Sequence, residues 1–271
     1  MSYSIEYAAM CHKGLRRDNN QDNLWCANAY LEFENEGTPD ILTGKDIVSN
    51  YPAYAVFDGL GGEQQGEMAA YIAAGNFGAK LSEYTGNSIE SFLIESCIEI
   101  NKKISNYQKE NLIHKMGTTA AILMCGKDAA YICNVGDSRV YRYRRRKLTQ
   151  VSHDHIAKGV ADRKPPLTQC LGIPESEFLI EPSVMKCPYG FCDRYLICSD
   201  GLTDMLTDKR ISSLLSKKMS IPKTTQTLVE MALRNGGVDN TTVILVEIRR
   251  DWSLIRTRQH EQVVSQQSVR G

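Results

Sequence analysis

The sequence has no excess of charge of either sign, since its 271 residues carry 32 Lys and Arg against 32 Asp and Glu. Composition therefore gives no argument for a nucleic-acid or membrane-surface partner. No apolar run approaches the ~20 residues that span a bilayer. Residues 1–6 lack the basic start and apolar core of a signal peptide. We expect a cytoplasmic protein that binds neither nucleic acid nor membrane.

The chain also has little that would serve zinc or redox chemistry. It contains five His, and its nine Cys include no Cys-x-x-Cys pair. Cys97, Cys125 and Cys133 lie inside apolar runs, as buried reduced thiols do. Reduced thiols fit the cytoplasm. At 271 residues the chain is long enough for one large domain or two small ones.

Turning to what is present, four aspartates stand beside Gly or Asn at the ends of apolar runs: Asp58, Asp137, Asp200 and Asp239. Runs such as residues 54–57, 131–135 and 195–198 have the character of buried strands. A carboxylate at the tip of such a strand is costly unless it is paired or bound to a cation. Taken alone, any one of these aspartates would be interpreted as a turn or cap residue. Together they indicate a shared divalent metal centre, and oxygen ligands without clustered His or Cys favour Mg²⁺ or Mn²⁺.

Apolar periodicity predicts a mixture of helices and strands. Helices are predicted at residues 67–84, 89–112, 209–216 and 224–234, and strands include residues 23–33, 119–124, 129–135 and 140–143. Helix pairs between groups of strands, without regular strand–helix alternation, indicate an α+β layered fold. The polar stretch 34–50 is expected to be a surface excursion. The basic run 144–147 lies between two strands, which favours a solvated hairpin turn over a nucleic-acid patch.

Short motifs follow one another in a distinctive order along the chain. They are Arg17-Asp18-Asn19-Asn20-Gln21-Asp22, Asp58-Gly59, Gly117-Thr118-Thr119, Gly136-Asp137-Ser138, Ser199-Asp200-Gly201 and Asp239-Asn240. Over residues 7–248 this series resembles the bacterial form of the metal-dependent protein phosphatases of the 2C type, the PPM family. The resemblance implies a four-layer α-β-β-α sandwich, with two antiparallel sheets flanked by helix pairs. It makes residues 1–250 the catalytic domain and leaves 251–271 as a polar tail without chemistry.

The resemblance also implies which residues bind metal. Asp58 would bridge two Mg²⁺ or Mn²⁺ ions, and the carbonyl of Gly59 would complete the shell of the second. Asp200 and Asp239 would hold the first ion. Asp137, together with Asp200, would bind a third and weaker ion. The alternative for Asp137 is a turn carboxylate capped by Ser138 or paired with Arg139.

Further residues are expected around the metals. The motif spacing selects Arg17, rather than Arg16, as the guanidinium that grips the substrate phosphate. Asp22 would accept hydrogen bonds from metal-bound water, and Asn240 would support the ligands. Asp204 would face the same site as a supporting carboxylate or auxiliary ligand, or else serve as a helix N-terminal carboxylate.

The sequence departs from the family pattern in two places. Leu60 stands where many eukaryotic relatives have a His that protonates the leaving group, and His155 is expected to be structural. The flap near the substrate is reduced to residues 156–166, with no room for two helices. A short flap predicts an open approach and weak discrimination among phosphopeptides. Its basic residues, Lys158, Arg163 and Lys164, would favour acidic sequence around the phosphate.

The function that follows is hydrolysis of phosphoserine and phosphothreonine in proteins by a water or hydroxide bridging two divalent metals. Phosphate monoesters hydrolyse so slowly that catalysis must supply on the order of 20 kcal/mol or more. The expected partners are phosphorylated proteins, the substrates of a Ser/Thr kinase, and the expected state is a monomer. The alternative is a catalytically silent regulatory or binding module that retains the fold.

Overall fold

The computed structural model describes residues 2–60, 65–158, 165–190 and 192–251, and the predicted tail lies outside them apart from Asp251. The strands are β1 Ser2–His12, β2 Asp22–Trp25, β3 Leu42–Ile47, β4 Ala53–Leu60, β5 Gly117–Thr118, β6 Ala120–Cys125, β7 Ala129–Val135, β8 Arg139–Arg144, β9 Lys147–Gln150, β10 Ser183–Pro188, β11 Asp193–Cys198 and β12 Thr241–Asp251. The helices are α1 Gly66–Ser82, α2 Ile89–Glu110, α3 Asp200–Thr203, α4 Asp208–Leu215 and α5 Ile221–Arg234, with a 3₁₀ turn at Val48–Asn50.

The strands form two antiparallel sheets that pack face to face. The first sheet has the order β3-β1-β12-β11-β8-β9, and the second has the order β10-β7-β6-β4-β2, with β5 pairing the end of β4. Between them lies an apolar core that includes Tyr54, Leu123 and Ile244. Alternate residues of each strand point to opposite faces, so each sheet presents a second apolar face to a helix layer.

Helices cover both outer faces of the sandwich. α1 and α2 pack on the second sheet through an apolar cluster that includes Phe77 and Ile100. α3, α4 and α5 pack on the first sheet through a cluster that includes Leu228 and Leu245. The predicted four-layer α+β fold is therefore confirmed. None of the described helices is both long and apolar enough to cross a bilayer.

Local sequence explains where the longer helices begin. Ser88 caps α2 and Ser220 caps α5, each accepting a hydrogen bond from a backbone N–H of the first turn. α5 also has a Pro in its first turn, where the missing N–H costs no helical hydrogen bond. The sequence placed α1 and α2 to within two residues at either end, because both carry long apolar stripes against the sheet.

Some strand predictions were wrong. The stretch 34–50 is more than a surface excursion, because it contains β3, which pairs with β1 at the edge of the first sheet. Its residues alternate between exposed and half-buried, so the polar composition concealed the strand. The strand predicted over 23–33 ends at Trp25. Ala27 and Asn28 both have positive φ and turn the chain back, with hydrogen bonds between Cys26 and Ala29 closing the turn.

The basic run 144–147 forms the hairpin that was predicted. β8 and β9 pair on either side of Arg145 and Arg146, both of which have positive φ, as a two-residue hairpin turn requires. Arg144 turns back into the protein and donates from Nε to the buried Asp193 carboxylate at 2.6 Å. One charge of the run is therefore held within the fold.

The pairing of β1 with β12 brings distant motifs together. Its register places Ser2 opposite Asp251 at one end and His12 opposite Thr241 at the other. The loop that follows β1 and the loop that precedes β12 therefore meet at the same end of the sandwich. Arg17 lies on the first loop and Asp239 on the second, so residues 222 positions apart become neighbours.

Candidate metal centre

A cavity of about 330 Å³ opens at this end of the sandwich, where both sheets contribute loops. Most of the predicted site residues line it: Arg17, Asp58, Gly59, Asp137, Asp200, Asp239 and Asn240. Gln21, Leu60, Pro165, Pro166 and Leu167 complete its described lining. The structure thus gathers four aspartates from four separate segments around one space. We call it the carboxylate pocket.

Asp58 and Gly59 reach the pocket because β4 ends there. The Asp58 N–H donates to Thr119 Oγ1 at 3.1 Å, and the Asp58 carbonyl accepts from the Thr119 N–H and the Thr118 hydroxyl. Gly59 lies so close to its neighbours that a Cβ would stand 2.2 Å from the carbonyl oxygen of Gly66. Only glycine fits there, which explains the Asp-Gly pair in physical terms.

Asp200 and Asp239 come from the first sheet. Asp200 is the first residue of α3, immediately after β11, and Asp239 lies just before β12. A Cβ on Gly201 would stand 1.9 Å from the carbonyl oxygen of Asn240. This close approach seats the start of α3 against the Asp239–Asn240 segment and holds the two carboxylates on the same side of the pocket.

Asp22 lies behind the pocket rather than in its lining. It is fully buried on β2, directly opposite Asp58 in the β2–β4 register. Its Oδ2 accepts hydrogen bonds from the hydroxyls of Thr242 at 2.6 Å and Ser199 at 2.8 Å. Its buried Oδ1 has no hydrogen-bond partner among the described residues. No role was predicted for Ser199 or Thr242, although Ser199 belongs to the motif that contains Asp200 and Thr242 lies two residues beyond Asn240.

Arg17 projects at the mouth of the pocket and is paired with one of the predicted ligands. Its Nη2 donates to Asp239 Oδ2 at 2.8 Å, and this hydrogen bond raises the pKa of the guanidinium. The side chain remains 46 % exposed, so its other donors face solvent at the entrance. Arg16 is also exposed, but it is not part of the described pocket lining.

Asn240 organises the loop that carries Arg17. Its Oδ1 accepts from the Gln21 N–H at 2.8 Å. Its Nδ2 donates to the carbonyls of Lys13 at 2.7 Å and Asn19 at 3.0 Å. One buried amide therefore fixes both ends of the loop between β1 and β2. Asn240 also lines the carboxylate pocket beside Asp239.

Asp137 is half-buried in the pocket wall, and its neighbours bond elsewhere. The Ser138 hydroxyl bonds Thr119 Oγ1 at 2.7 Å. The Arg139 guanidinium grips Asp154 with Nε and Nη2. In the described contacts, Ser138 and Arg139, which were the alternative partners considered for Asp137, thus bond to Thr119 and Asp154.

His155 supports the same turn. Its Nδ1 accepts from the Gly136 N–H at 3.2 Å and its Nε2 lies 3.0 Å from Ser183 Oγ. Burial lowers the pKa of the imidazole, which favours the neutral ring that this pattern requires. Both ring nitrogens of His155 therefore have hydrogen-bond partners, as expected for a residue with a structural role.

Asp204 stands apart from the pocket, whereas the described end of the flap borders it. Asp204 is exposed beyond the first turn of α3 and is not among the described residues that line the cavity. Of the flap, residues 159–164 lie outside the described part, and Arg163 and Lys164 with them. The flanking residues are joined, because Ala157 N–H donates to the Pro166 carbonyl at 2.9 Å. Pro165 and Pro166 form part of the pocket rim.

Burial and repulsion between carboxylates, in that order, set the electrostatics of the pocket. Burial raises the pKa of Asp58 well above its ordinary value, and the charges of Asp200, Asp22, Asp137 and Asp239 raise it further. Burial likewise raises the pKa of Asp22, against the opposing hydrogen bonds from Thr242 and Ser199. Such a cluster is stabilised by cations, and a set of carboxylate and carbonyl oxygens suits Mg²⁺ or Mn²⁺.

The carboxylate and carbonyl oxygens of the pocket therefore suit Mg²⁺ or Mn²⁺, although the side chains do not converge on a single point. Within the described residues, no group of three or more His, Cys, Asp or Glu side chains is arranged to enclose a metal ion. Asp239 in particular is turned towards Arg17 and towards the backbone N–H of Asn240. Binding of a metal ion would require rotation of the aspartate side chains.

The fold has close counterparts among solved structures. The catalytic domain of the serine/threonine phosphatase PstP, solved in complex with two manganese ions, superposes with a TM-score of 0.74 at 26 % identity. The match covers 92 % of this chain and 100 % of that domain. A structure described as a bacterial serine phosphatase superposes with a TM-score of 0.75 at 25 % identity, covering 90 % and 98 %.

Sequence comparison gives the same result. Residues 40–235 match the family described as Protein phosphatase 2C. A serine/threonine phosphatase of Listeria welshimeri is 31 % identical over 236 residues, which are 80 % of this chain and 91 % of that protein. PstP of Mycobacterium tuberculosis is 26 % identical over 255 residues, 90 % of this chain and 45 % of that protein. The chain belongs to the protein phosphatase 2C family.

Proposed function

We propose that this protein is a metal-dependent phosphatase that hydrolyses phosphoserine and phosphothreonine in other proteins. The observation that carries the proposal is the carboxylate pocket, where aspartates from both sheets meet beside one arginine. The relatives named as serine/threonine phosphatases, and the PstP domain that binds two manganese ions, support the same activity and the same metals. Two Mg²⁺ or Mn²⁺ ions are the proposed cofactors.

Each pocket residue has a proposed role. Asp58 would bridge two cations, with the Gly59 carbonyl on one of them and Asp200 and Asp239 on the other. Asp137, with Asp200, would hold a third ion. Asp204 would act through solvent, since it stands outside the described lining. Bound divalent cations would neutralise phosphoryl oxygens and lower the pKa of a water molecule.

The remaining steps belong to the protein's own groups. Arg17 would exchange its contact with Asp239 for the substrate phosphate, since its exposed guanidinium can donate to two phosphate oxygens. Asp22 has one oxygen held by two hydroxyls, which leaves Oδ1 to accept a hydrogen bond from the attacking water. Leu60 offers no proton, so the departing serine or threonine oxygen would take its proton from water.

The proposed setting is the cytoplasm of a cell that also contains a Ser/Thr kinase. All nine cysteines are free thiols, and Cys97 and Cys133, with their sulfur atoms 3.7 Å apart, share a hydrogen bond and not a disulfide. Such thiols persist in a reducing compartment. Phosphorylated proteins would be the partners, and we propose that the protein acts as a monomer.

The proposal is tested by measuring phosphate release from phosphoserine and phosphothreonine peptides and from p-nitrophenyl phosphate. Release should require Mn²⁺ or Mg²⁺, and EDTA should abolish it. Added metal in excess of the chelator should restore it. A folded protein that shows no turnover with either metal would instead be the silent module that retains the fold.

A further inference from the structure

Two apolar side chains are exposed beside the mouth of the carboxylate pocket. Leu15 is 61 % exposed and Val238 is 51 % exposed. Leu15 stands two residues before Arg17, and Val238 immediately precedes Asp239. Because Arg17 and Asp239 share a hydrogen bond at the pocket mouth, the two loops that carry the apolar side chains meet there as well. Single exposed apolar residues are ordinary on a protein surface, but these two adjoin residues proposed to bind the phosphate and a metal.

Both side chains lie against the turn between α5 and β12, together with two that are partly exposed. A Cβ added to Gly237 would stand 2.9 Å from Leu15 Cγ and 3.1 Å from Leu233 Cδ2. A Cβ added to Gly236 would stand 3.4 Å from Val238 Cγ2 and 3.7 Å from Met205 Sδ. Four apolar side chains therefore gather around two adjacent glycines. We call them the mouth patch: Leu15, Met205, Leu233 and Val238.

The backbone beneath the mouth patch is fixed by hydrogen bonds. The Leu15 N–H donates to the Gly237 carbonyl at 2.7 Å, which joins the loop after β1 to the turn before β12. On the other side of the turn, Asn235 Nδ2 donates to the Met205 carbonyl at 2.9 Å. This second bond ties the turn to the segment that follows α3. The patch is therefore preformed, and a ligand that binds there need not order these loops.

The charged residues that adjoin the mouth patch in sequence balance one another. Arg16 follows Leu15 and Asp204 precedes Met205, and both are exposed. Arg234 follows Leu233, and its Nη2 lies 3.9 Å from Glu230 Oε2 one helical turn earlier. Two positive and two negative side chains thus stand next to the patch. Charge gives these neighbours no preference for an acidic or a basic ligand, so the contact that the patch offers is apolar.

We propose that the mouth patch binds a bulky apolar residue that flanks the phosphorylated residue of the protein substrate, and that the enzyme therefore prefers such sequences. The proposal rests on the proposed phosphatase function. When Arg17 holds the phosphate, residues one or two positions from the phosphoserine lie within about 7 Å of it along the chain. Leu15 and Arg17 are separated by the same number of residues, so the patch is within reach. A leucine or phenylalanine placed there would remove the exposed surface of Leu15 and Val238 from water.

The test uses Leu15→Asn combined with Val238→Thr in the full chain, which replaces the two apolar side chains with polar ones of similar size. The matched control is Leu179→Asn, because Leu179 is 69 % exposed and is not in the described pocket lining. Substrates are phosphoserine peptides that carry Leu or Ala at each flanking position in turn, and p-nitrophenyl phosphate. The wild type and the control should prefer Leu at the position that reaches the patch by about fivefold to tenfold in kcat/KM, mainly through KM. The double variant should turn over both peptides at the wild-type rate for the Ala peptide, with p-nitrophenyl phosphate unchanged.

Binding is measured separately from turnover, by fluorescence polarisation of labelled peptides that carry a non-hydrolysable phosphonate in place of phosphoserine. The wild type should bind the Leu peptide more tightly than the Ala peptide, and the difference should persist at high salt, because the two peptides have the same charge. Leu15→Met, which keeps the side chain apolar, should retain the preference. Equal affinity for the two peptides in the wild type, or a Leu preference that survives in the double variant, overturns the assignment. Metal-dependent turnover of p-nitrophenyl phosphate by the wild type persists in either case, so failure of the mouth patch is distinct from failure of the proposed function.

Discussion

Asp58 is repelled by four neighbouring aspartates, which makes its replacement informative in two ways. Asp58→Asn should lower metal-dependent turnover by more than about 100-fold, because a bridging ligand supports several kcal/mol of charge stabilisation. The thermal midpoint of the metal-free protein should not fall, since the change removes a buried carboxylate that its neighbours repel. The measurements are phosphate release and thermal unfolding.

Asp18→Asn is the matched control for this change, because Asp18 is exposed on the same loop as Arg17 and is not in the described pocket lining. It should retain wild-type activity. Full activity in Asp58→Asn would remove Asp58 from the metal centre. Loss of activity with loss of folding would show that the carboxylate serves the fold instead.

Arg17 gives a prediction of a different kind. Arg17→Ala should raise KM for phosphopeptides far more than it lowers kcat, because the phosphate contact is present in the ground state as well. Loss of a charge-assisted contact of about 2–3 kcal/mol corresponds to roughly 30–160-fold in kcat/KM. Steady-state kinetics on one phosphopeptide measure this split, with Arg16→Ala as the control. Wild-type kcat/KM in Arg17→Ala would contradict the phosphate role.

At the residue scale, the motif residues were predictable and their contacts were not. The motif order identified Asp58, Asp200 and Asp239, because short runs with Asp-Gly or Asp-Asn have few other reasons to recur in that series. The hydroxyls of Ser199 and Thr242 on Asp22 depend on which strands become neighbours. The sequence places these residues some 177 and 220 positions from Asp22, so no local pattern connects them.

At the element scale, α2 is predicted to do more than cover the sheet. Asn101→Ala would leave the buried N–H groups of Gly172 and Ile173 without their acceptor. Each such group costs about 1–3 kcal/mol, so the free energy of unfolding should fall by about 2–6 kcal/mol.

Denaturant unfolding measures this loss, and Asn106→Ala is the stability control. Asn106 is exposed on the same helix, so its replacement should change the free energy of unfolding by less than about 0.5 kcal/mol. Equal destabilisation by the two substitutions would show that the Asn101 bonds do not hold residues 172–173 against α2.

Elements were predictable in proportion to their length and burial. α1 and α2 pack long apolar stripes on a sheet, so periodicity located both. β3 and β9 are short strands at the two edges of one sheet, where each strand pairs on one side and has few buried residues. Edge pairing is decided by tertiary contacts that local composition does not record. β5 has only two residues, and its pairing with β4 follows from the position of the Leu171 segment.

For the whole molecule, the carboxylate pocket predicts a link between pH, metal and stability. The raised pKa of Asp58 and Asp22 means that the metal-free folded protein binds more protons than the unfolded chain above the ordinary carboxyl pKa of about 4. The contribution of these groups to the free energy of unfolding therefore falls as pH rises from about 4 towards the raised values. Mn²⁺ should oppose this, because it binds the deprotonated form.

Thermal unfolding between pH 5 and 8, in EDTA and in Mn²⁺, measures this link. At 100 times the dissociation constant, the metal should add about 2.7 kcal/mol, which corresponds to roughly 5–11 °C. The difference in thermal midpoint between the wild type and Asp58→Asn separates the effect of the pocket from that of other titrating groups. This difference should become smaller towards pH 5 in EDTA. A difference independent of pH would show that these carboxyls keep their ordinary pKa.

The pairing of Ser2 with Asp251 has a practical consequence for handling the molecule. These residues lie at the end of β1 and β12 that is ten residues, about 33 Å, from His12 and Thr241. A fluorophore or an affinity handle attached at Ser2 or at Asp251 would thus occupy nearly the same place, remote from the carboxylate pocket. A short linker could join Ser2 to Asp251, and new termini placed in the Arg145–Arg146 hairpin would yield a circularly permuted enzyme.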